Sequence, residues 1–332
     1  MMRIAITGAG GFVGSHITNK LINSGHKVLC LDNWSTGKRE HLNDGVLGKN
    51  VLVDIADYNM LAFAFELFKP ELVIHCASAM GVKKSLEQPE FFIDTNVKGT
   101  LNVLEAMKFI GCKEIIYIST THVYGNVEQY PTSEDVKLKP FSPYANSKRM
   151  AEDLIRSYRR LYGNKYSILR LGNCYGPNTK RGFIAQCIKG LIEFQDVTIY
   201  GDGTDTRDYV YVEDVAEAVI KAMNNMQNLT FNISFGDETR SGVVYNTVKK
   251  IVGIDREPKL IAGRTNDVCR IYTKVSRSLE KLNWQAQTNL SDGIAKTVKW
   301  YKETSSRAEP QQLPPTGTNL RVLKPIDLLE ED

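Results

Sequence analysis

The chain has 332 residues, 42% of them hydrophobic and 24% charged, with a formal net charge of +4. That length accommodates one large domain or two intimate ones, and the composition is ordinary for a globular protein. The small charge gives no reason to expect a nucleic-acid partner, and no stretch approaches the roughly 20 apolar residues that a membrane span needs.

Short apolar runs alternate with longer helical patterns through the first half. Ile4-Ala5-Ile6, Val28-Leu29-Cys30-Leu31, Leu72-Val73-Ile74, Ile115-Ile116-Tyr117-Ile118 and Ile168-Leu169-Arg170-Leu171 read as buried strands, with helices near 12–24, 57–68, 90–110 and 145–162. This alternation predicts an α/β fold, a doubly wound parallel sheet whose ligands bind beyond the carboxyl ends of the strands. Gly8, Asp32, His75, Cys76, Ala77, Ser78, Ser119, Thr120, Thr121 and Asn173 fall at those ends. After about Gly176 the elements shorten. The expected division is a first domain over 1–175, rejoined by about 207–234, and a smaller lobe over 176–206 and 235–302. A polar tail from about Glu303, with Pro310, Pro314 and Pro315, is expected to be disordered. The six cysteines (Cys30, Cys76, Cys112, Cys174, Cys187, Cys269) show no CxxC pair and no zinc spacing. This usage predicts a cytoplasmic protein without a metal site. The first apolar run is broken by Thr7 and glycines, which reads against a signal peptide.

Thr7-Gly8-Ala9-Gly10-Gly11-Phe12-Val13-Gly14 joins the first strand to the first helix. Glycines let a backbone turn sharply and approach a pyrophosphate, while the helix start supplies unpaired N–H groups and the positive end of a dipole. Asp32 ends the second strand, where a carboxylate accepts hydrogen bonds from an adenosine ribose and repels a 2′-phosphate. NAD is therefore favoured over NADP, although Lys38 and Arg39 nearby leave the alternative open. Asp54-Ile55 follows the third strand and either meets the adenine edge or forms a solvated turn.

Ser119-Thr120 follows the fourth strand and offers a hydroxyl at its carboxyl end. Tyr144-Ala145-Asn146-Ser147-Lys148 then places a phenol and an ammonium on one helical face. A phenol titrates near pH 10, and a positive charge about 4 Å away contributes roughly 4 kcal/mol at an effective dielectric of ~20, up to about three pKa units downward. Burial works the other way. Where the charge wins, Tyr144 becomes a base usable near neutral pH.

Thr7 to Gly14, Asp32-Asn33, Asn96-Val97-Lys98-Gly99-Thr100, Ser119 to Gly125, Ser142-Pro143-Tyr144 to Lys148, Arg170 to Pro177 and Gly201 to Asp208 together resemble the extended short-chain dehydrogenases/reductases that act on nucleotide sugars. The likeness spans roughly residues 2–301. Asp32 to Arg39 and Val82-Lys83-Lys84-Ser85 with Pro89 are similar to the UDP-hexose 4-epimerases within that family. The resemblance implies a Rossmann sheet with tightly held NAD and a Thr120–Tyr144–Lys148 triad. Cofactor contacts would come from Gly8, Gly10, Gly11, Phe12, Val13, Gly14, Asp32, Asn33, Ser35, Thr36, Gly37, Asp54, Ile55, Cys76, Ala77, Ser78, Asn96, Tyr144 and Lys148. Tyr144 would take the sugar 4-hydroxyl proton, with Lys148 on the nicotinamide ribose holding down its pKa, and hydride would leave carbon 4 and return to its other face. A nucleotide diphosphate sugar, UDP-linked, would meet Met80, Lys83, Thr120, Thr121, His122, Asn173, Tyr200, Arg207, Arg264 and Asp267. A homodimer through the helices near 90–110 and 145–162 is implied as well.

Two departures bear on the reaction. Arg264-Thr265-Asn266-Asp267 replaces the Arg-Pro-Gly-Asp common in the family, and Thr121-His122 stands where sugar 4,6-dehydratases carry Asp-Glu. The leading expectation is a 4-epimerase. A dehydratase or decarboxylase using the same 4-keto chemistry is the alternative.

Overall fold

β-branched and aliphatic runs end at glycines or polar turns, and each is followed by an amphipathic stretch, so strand and helix alternate from the N-terminus. The computed structural model describes residues 1–43, 48–263 and 270–306. In chain order the first half comprises β1 (Arg3–Thr7), α1 (Phe12–Asn23), β2 (Lys27–Asp32), β3 (Gly48–Leu52), α2 (Tyr58–Phe68), β4 (Leu72–His75), α3 (Val82–Glu87), α4 (Pro89–Ile93), α5 (Gly99–Phe109), β5 (Glu114–Thr120), α6 (Pro143–Tyr162) and β6 (Lys165–Leu171). It continues with β7 (Asn173–Tyr175), α7 (Phe183–Ile192), β8 (Thr198–Tyr200), β9 (Thr206–Arg207), β10 (Tyr209–Tyr211), α8 (Val212–Asn224), β11 (Leu229–Ile233), β12 (Thr239–Arg240), α9 (Ser241–Val252), β13 (Lys259–Ile261), α10 (Ser276–Leu282) and α11 (Leu290–Ser306).

Seven strands form one parallel sheet in the order β11-β6-β5-β4-β1-β2-β3. The order reverses between β1 and β4, which opens a crevice at the carboxyl edge where such sheets bind ligands. Alternate side chains enter opposite layers, as the period of a strand requires. Ile4, Ile6, Val28 and Cys30 pack with Ile17 and Leu21 of α1 and Val215 and Val219 of α8. Ala5, Leu29, Leu31 and Val73 pack with Leu61 and Phe65 of α2, Val103 and Leu104 of α5 and Ile155 of α6. A third apolar cluster joins α7, α9 and α11 through Ile184, Ile188, Val244, Val248, Ile294 and Val298. No helix among the described residues is long and apolar enough to cross a membrane.

Two expectations need correction. The helix near 90–110 is interrupted: a π turn at Asp94–Lys98 separates α4 from α5. Ser119 and Thr120 do not follow the fourth strand but are the last two residues of the fifth. The strand just after Arg207, β10, pairs with β7 outside the main sheet, whose seventh member is β11.

Candidate active site

Gly8 leaves β1 with φ +68°, and a Cβ there would lie 2.6 Å from the Ala77 nitrogen. A Cβ on Gly14 would lie 2.0 Å from the Gly8 carbonyl oxygen, so the loop closes on itself only if both residues are glycine. Gly11 caps α1 without a side-chain acceptor, which leaves helix-start N–H groups available to an anion. Asp32 is buried at the end of β2. Its carboxylate accepts from the Gly10 N–H at 2.9 Å and the Trp34 N–H at 2.8 Å. A glycine cradle that a Cβ would fill, an uncapped helix start and a fixed acidic residue at the end of β2 fit a dinucleotide.

The turn after Asp32 is bonded in the same way. Asn33 donates to Asp54 Oδ2 at 2.9 Å, and its own Oδ1 accepts from the Ser35 N–H and hydroxyl. Asp54 also accepts from the Ala56 N–H, while the Ile55 side chain is buried in the second core cluster. Lys38 pairs with Glu40 at 2.8 Å, and the Arg39 guanidinium stacks 5.2 Å from the Trp34 ring centre. The two cations that left NADP open thus both have partners.

Beyond β4, Cys76 and Ala77 are tied to Thr7 through its carbonyl (3.0 Å) and hydroxyl (3.3 Å), and Ser78 continues the same loop. Burial pushes the Cys76 thiol up to about 12, so it is a neutral neighbour. Asn96 projects from the π turn, a distortion that recurs at functional sites. Its amide accepts from the Ala79 N–H at 2.7 Å and donates to the Ala79 carbonyl at 3.1 Å and the Ser147 hydroxyl at 2.9 Å. One side chain therefore locks this loop to α6. Met80 and Lys83 are exposed beyond it.

α6 starts at a defined residue because the Ser142 hydroxyl accepts from the Ala145 N–H and Pro143 occupies the first turn. Tyr144 and Lys148 thereby face the end of β5. Tyr144 is buried, with its ring edge against Phe92 and His122 at centroid distances of 6.1 and 6.2 Å. Burial raises its phenol to about 12, against a smaller opposing effect of the Thr120 hydroxyl. Lys148 is buried too. It donates to the Ile118 carbonyl at 2.6 Å and lies 4.2 Å from the Tyr117 ring centre. Burial lowers its ammonium to about 7, while Glu152 draws it upward. The expected outcome, a phenol held down by the ammonium, is reversed within the protein's own atoms: Lys148 points to a carbonyl, and desolvation dominates both groups.

Glu152, one further turn along the same face of α6, was not singled out from sequence. It accepts from the Ser119 hydroxyl at 2.6 Å, from Arg170 through two bonds at 3.0 and 2.7 Å, and from Arg156 at 2.9 Å. Burial pushes its carboxyl up, but the arginines and Ser119 outweigh that effect and leave it below the ordinary range. The i, i+4, i+8 spacing of Tyr144, Lys148 and Glu152 was the available signal.

On the remaining side, Asn173 opens β7, and its N–H donates to the Asp208 carbonyl at 2.7 Å. Arg207 lies in β9, with one guanidinium nitrogen donating to the Thr206 carbonyl at 2.9 Å. Tyr200 is 38% exposed at the end of β8. Thr121 is buried with a hydroxyl that has no partner, and the half-buried His122 donates its N–H to the Thr120 hydroxyl. Arg264 and Asp267 lie outside the described residues, as do Cys269 and the tail beyond 306. A cavity of about 480 Å³ opens beside Arg207, lined by Thr204, Asp205, Thr206, Glu238, Arg240 and Arg270. None of the triad lines it.

Comparison with known proteins follows the same geometry. Residues 4–234 match the model of the NAD dependent epimerase/dehydratase family. The UDP-glucose 4-epimerase of Mycolicibacterium smegmatis is 36% identical over 313 residues, covering 92% of this chain and 100% of the relative. A crystal structure of UDP-glucose 4-epimerase with UDP-glucose from Thermotoga maritima superposes with a TM-score of 0.88 at 36% identity, over 92% of this chain and 100% of that one. The dTDP-glucose 4,6-dehydratase DesIV of Streptomyces venezuelae, solved with NAD bound, gives 0.87 at 28% identity, over 93% and 99%.

Proposed function

Because the chain belongs to the NAD dependent epimerase/dehydratase family, we propose that it inverts carbon 4 of a UDP-linked sugar with NAD as its resident cofactor. The observation that carries this reading is the meeting of Thr120, Tyr144 and Lys148 at the same sheet edge as the Gly8–Gly14 cradle. NAD, when bound, supplies a reversible hydride acceptor and a positively charged ring, so that a secondary alcohol passes through a ketone and back. The cradle, the α1 start and Asp32 would hold its pyrophosphate and ribose. Tyr144 takes the proton of the 4-hydroxyl and later returns it, and the Thr120 hydroxyl beside it holds the same oxygen. Lys148 brings positive charge to a phenol that burial otherwise keeps neutral at pH 7. Asn173 and Arg207 bind the nucleotide phosphates, with Arg207 offering a planar fork suited to them.

Thr121-His122 sets the outcome after oxidation. Neither residue is a carboxylate, so the pair lacks the Asp-Glu acid and base of the standard sugar 4,6-dehydratases, and epimerisation is the outcome this favours. Relatives named UDP-glucose 4-epimerase at 36–37% identity over most of the chain support the same choice. The fold alone does not distinguish it from a lyase, since the dehydratase superposes almost as well as the epimerase. We also propose a homodimer through α4–α6, supported by the exposed Phe91, Ile93, Met150 and Leu161. A cytoplasmic location is supported by five free cysteines among the described residues. The smaller lobe is read as the nucleotide-sugar lobe. Its third apolar cluster supports that division, although Leu282 and Trp284 pack with the first core cluster rather than with that lobe.

The test is a panel of UDP-sugars incubated with the purified protein and read by product mass and proton NMR. The expected product is the 4-epimer at unchanged mass. Loss of water or carbon dioxide would favour the lyase reading, and no conversion of any sugar would sink both.

A further inference from the structure

His75 closes β4 fully buried and takes no part in the chemistry proposed above. Both of its ring nitrogens are nevertheless engaged. Nδ1 lies 2.6 Å from the Thr7 hydroxyl, and Nε2 lies 3.0 Å from the Thr100 hydroxyl. The outer bonds fix the direction of the inner ones. Thr100 donates its proton to the Asn96 carbonyl at 2.6 Å, so its oxygen accepts from His75 and Nε2 carries the hydrogen. On the other side, the Thr7 oxygen accepts from the Ala77 N–H at 3.3 Å, and its proton goes to Nδ1. One neutral tautomer satisfies every bond. A second ring proton would leave the Thr7 hydroxyl hydrogen without an acceptor.

We propose that neutral His75 is a positioning residue that holds the phosphate-loop strand end in register with the π turn bearing Asn96. Thr7 precedes Gly8 directly, Ala77 opens the loop against which Gly8 packs, and Asn96 locks that loop to Ser147, next to Lys148. The imidazole thus joins the cofactor cradle to the π turn through two hydroxyls, and the Asn96 backbone carbonyl and side-chain amide carry the connection on to the catalytic helix. The groups that face it are the hydroxyls of Thr7 and Thr100, the Tyr117 ring at 5.4 Å and, across that ring, the Lys148 ammonium. Burial first, and then the Lys148 charge, push His75 down to about 3, in agreement with the tautomer that the bonds require. Keeping this ring neutral also spares Lys148 a second buried cation next to it.

The inference rests on the proposed NAD site, so its test includes readouts that do not need turnover. In ring-15N-histidine protein, His75 is expected as the neutral Nε2–H tautomer, unchanged from about pH 8 down to about pH 5. A His75 signal that titrates in that range, or that reports Nδ1–H, overturns the proposal. Thr100→Val keeps the shape but removes the bridge to Asn96. It should release NAD about tenfold faster and lower kcat about tenfold with little change in sugar KM, the size expected of a small misplacement. Thr100→Ser restores the hydroxyl and should recover both. A valine variant that holds NAD and turns over like the wild type also overturns the proposal. Failure of the wild type to bind NAD would instead count against the functional reading and leave the tautomer result standing.

Discussion

On the proposed cofactor side of the sheet edge, the polar groups are bonded to one another: Asp32 to Gly10 and Trp34, Asn96 to Ala79 and Ser147, His75 to Thr7 and Thr100. On the proposed sugar side, the Thr121 hydroxyl is buried without a partner, Met80 is 55% exposed and Tyr200 is 38% exposed. A surface whose donors and acceptors are already placed loses little entropy when it meets a ligand. That arrangement suits a group retained through every cycle, whereas a looser surface suits one that enters and leaves.

The largest test of this contrast is Tyr144→Phe. Removing the proton acceptor should lower turnover by about 10²–10⁴-fold while bound NAD, assayed by its absorbance after denaturation, stays at the wild-type level. Loss of NAD as well would mean that the two sides are not separable at this residue. Next is Glu152→Ala, which strands buried Arg170 and frees Ser119. It should cost about 3–5 kcal/mol in urea unfolding, the price of a broken buried pair. A loss below about 1 kcal/mol would show that the network behind β5 is dispensable.

The reversed charge balance has its own signature. Lys148 is lowered to about 7 in the fold from an ordinary 10.5, so the unfolded chain binds more protons between those values. Stability should therefore rise with pH across that window, by at most about 1.4 kcal/mol per unit, relative to a Lys148→Met variant measured in parallel. Equal slopes would mean that burial does not dominate at Lys148. Asp32→Ala should weaken NAD about tenfold and narrow the preference over NADP, because two loop N–H groups lose a charged acceptor and the 2′-phosphate loses its repulsion. Titration of both nucleotides checks this, and an unchanged NAD/NADP ratio would remove Asp32 from the ribose. The smallest effect belongs to Thr121→Val. Deleting an unpaired buried hydroxyl should leave stability within about 1 kcal/mol, while sugar KM rises a few-fold if that hydroxyl meets the substrate. An unchanged KM would take Thr121 off the sugar side.

The parallel α/β architecture, the glycine cradle, Asp32 and the Tyr144–Lys148 pair were legible in the sequence, because each depends on local periodicity or short spacing, whereas Thr120 joined that pair through the family resemblance. Apolar runs of four or five residues specify strands, glycines at 8, 11 and 14 specify a loop no side chain can enter, and a four-residue spacing puts Tyr144 and Lys148 on one face. What distant residues do to one another was not legible. Ile118 receives the Lys148 ammonium, thirty residues away in sequence, and the surrounding core desolvates both members of the pair. The π turn that aims Asn96, the coupling of Glu152 to Ser119 and Arg170, and the bridge made by His75 likewise arise only when separate strands and helices pack together. The sequence by itself determined which groups stand at the sheet edge. The tertiary structure decided their protonation and their partners, because burial and hydrogen bonding depend on neighbours that the chain brings in from far away.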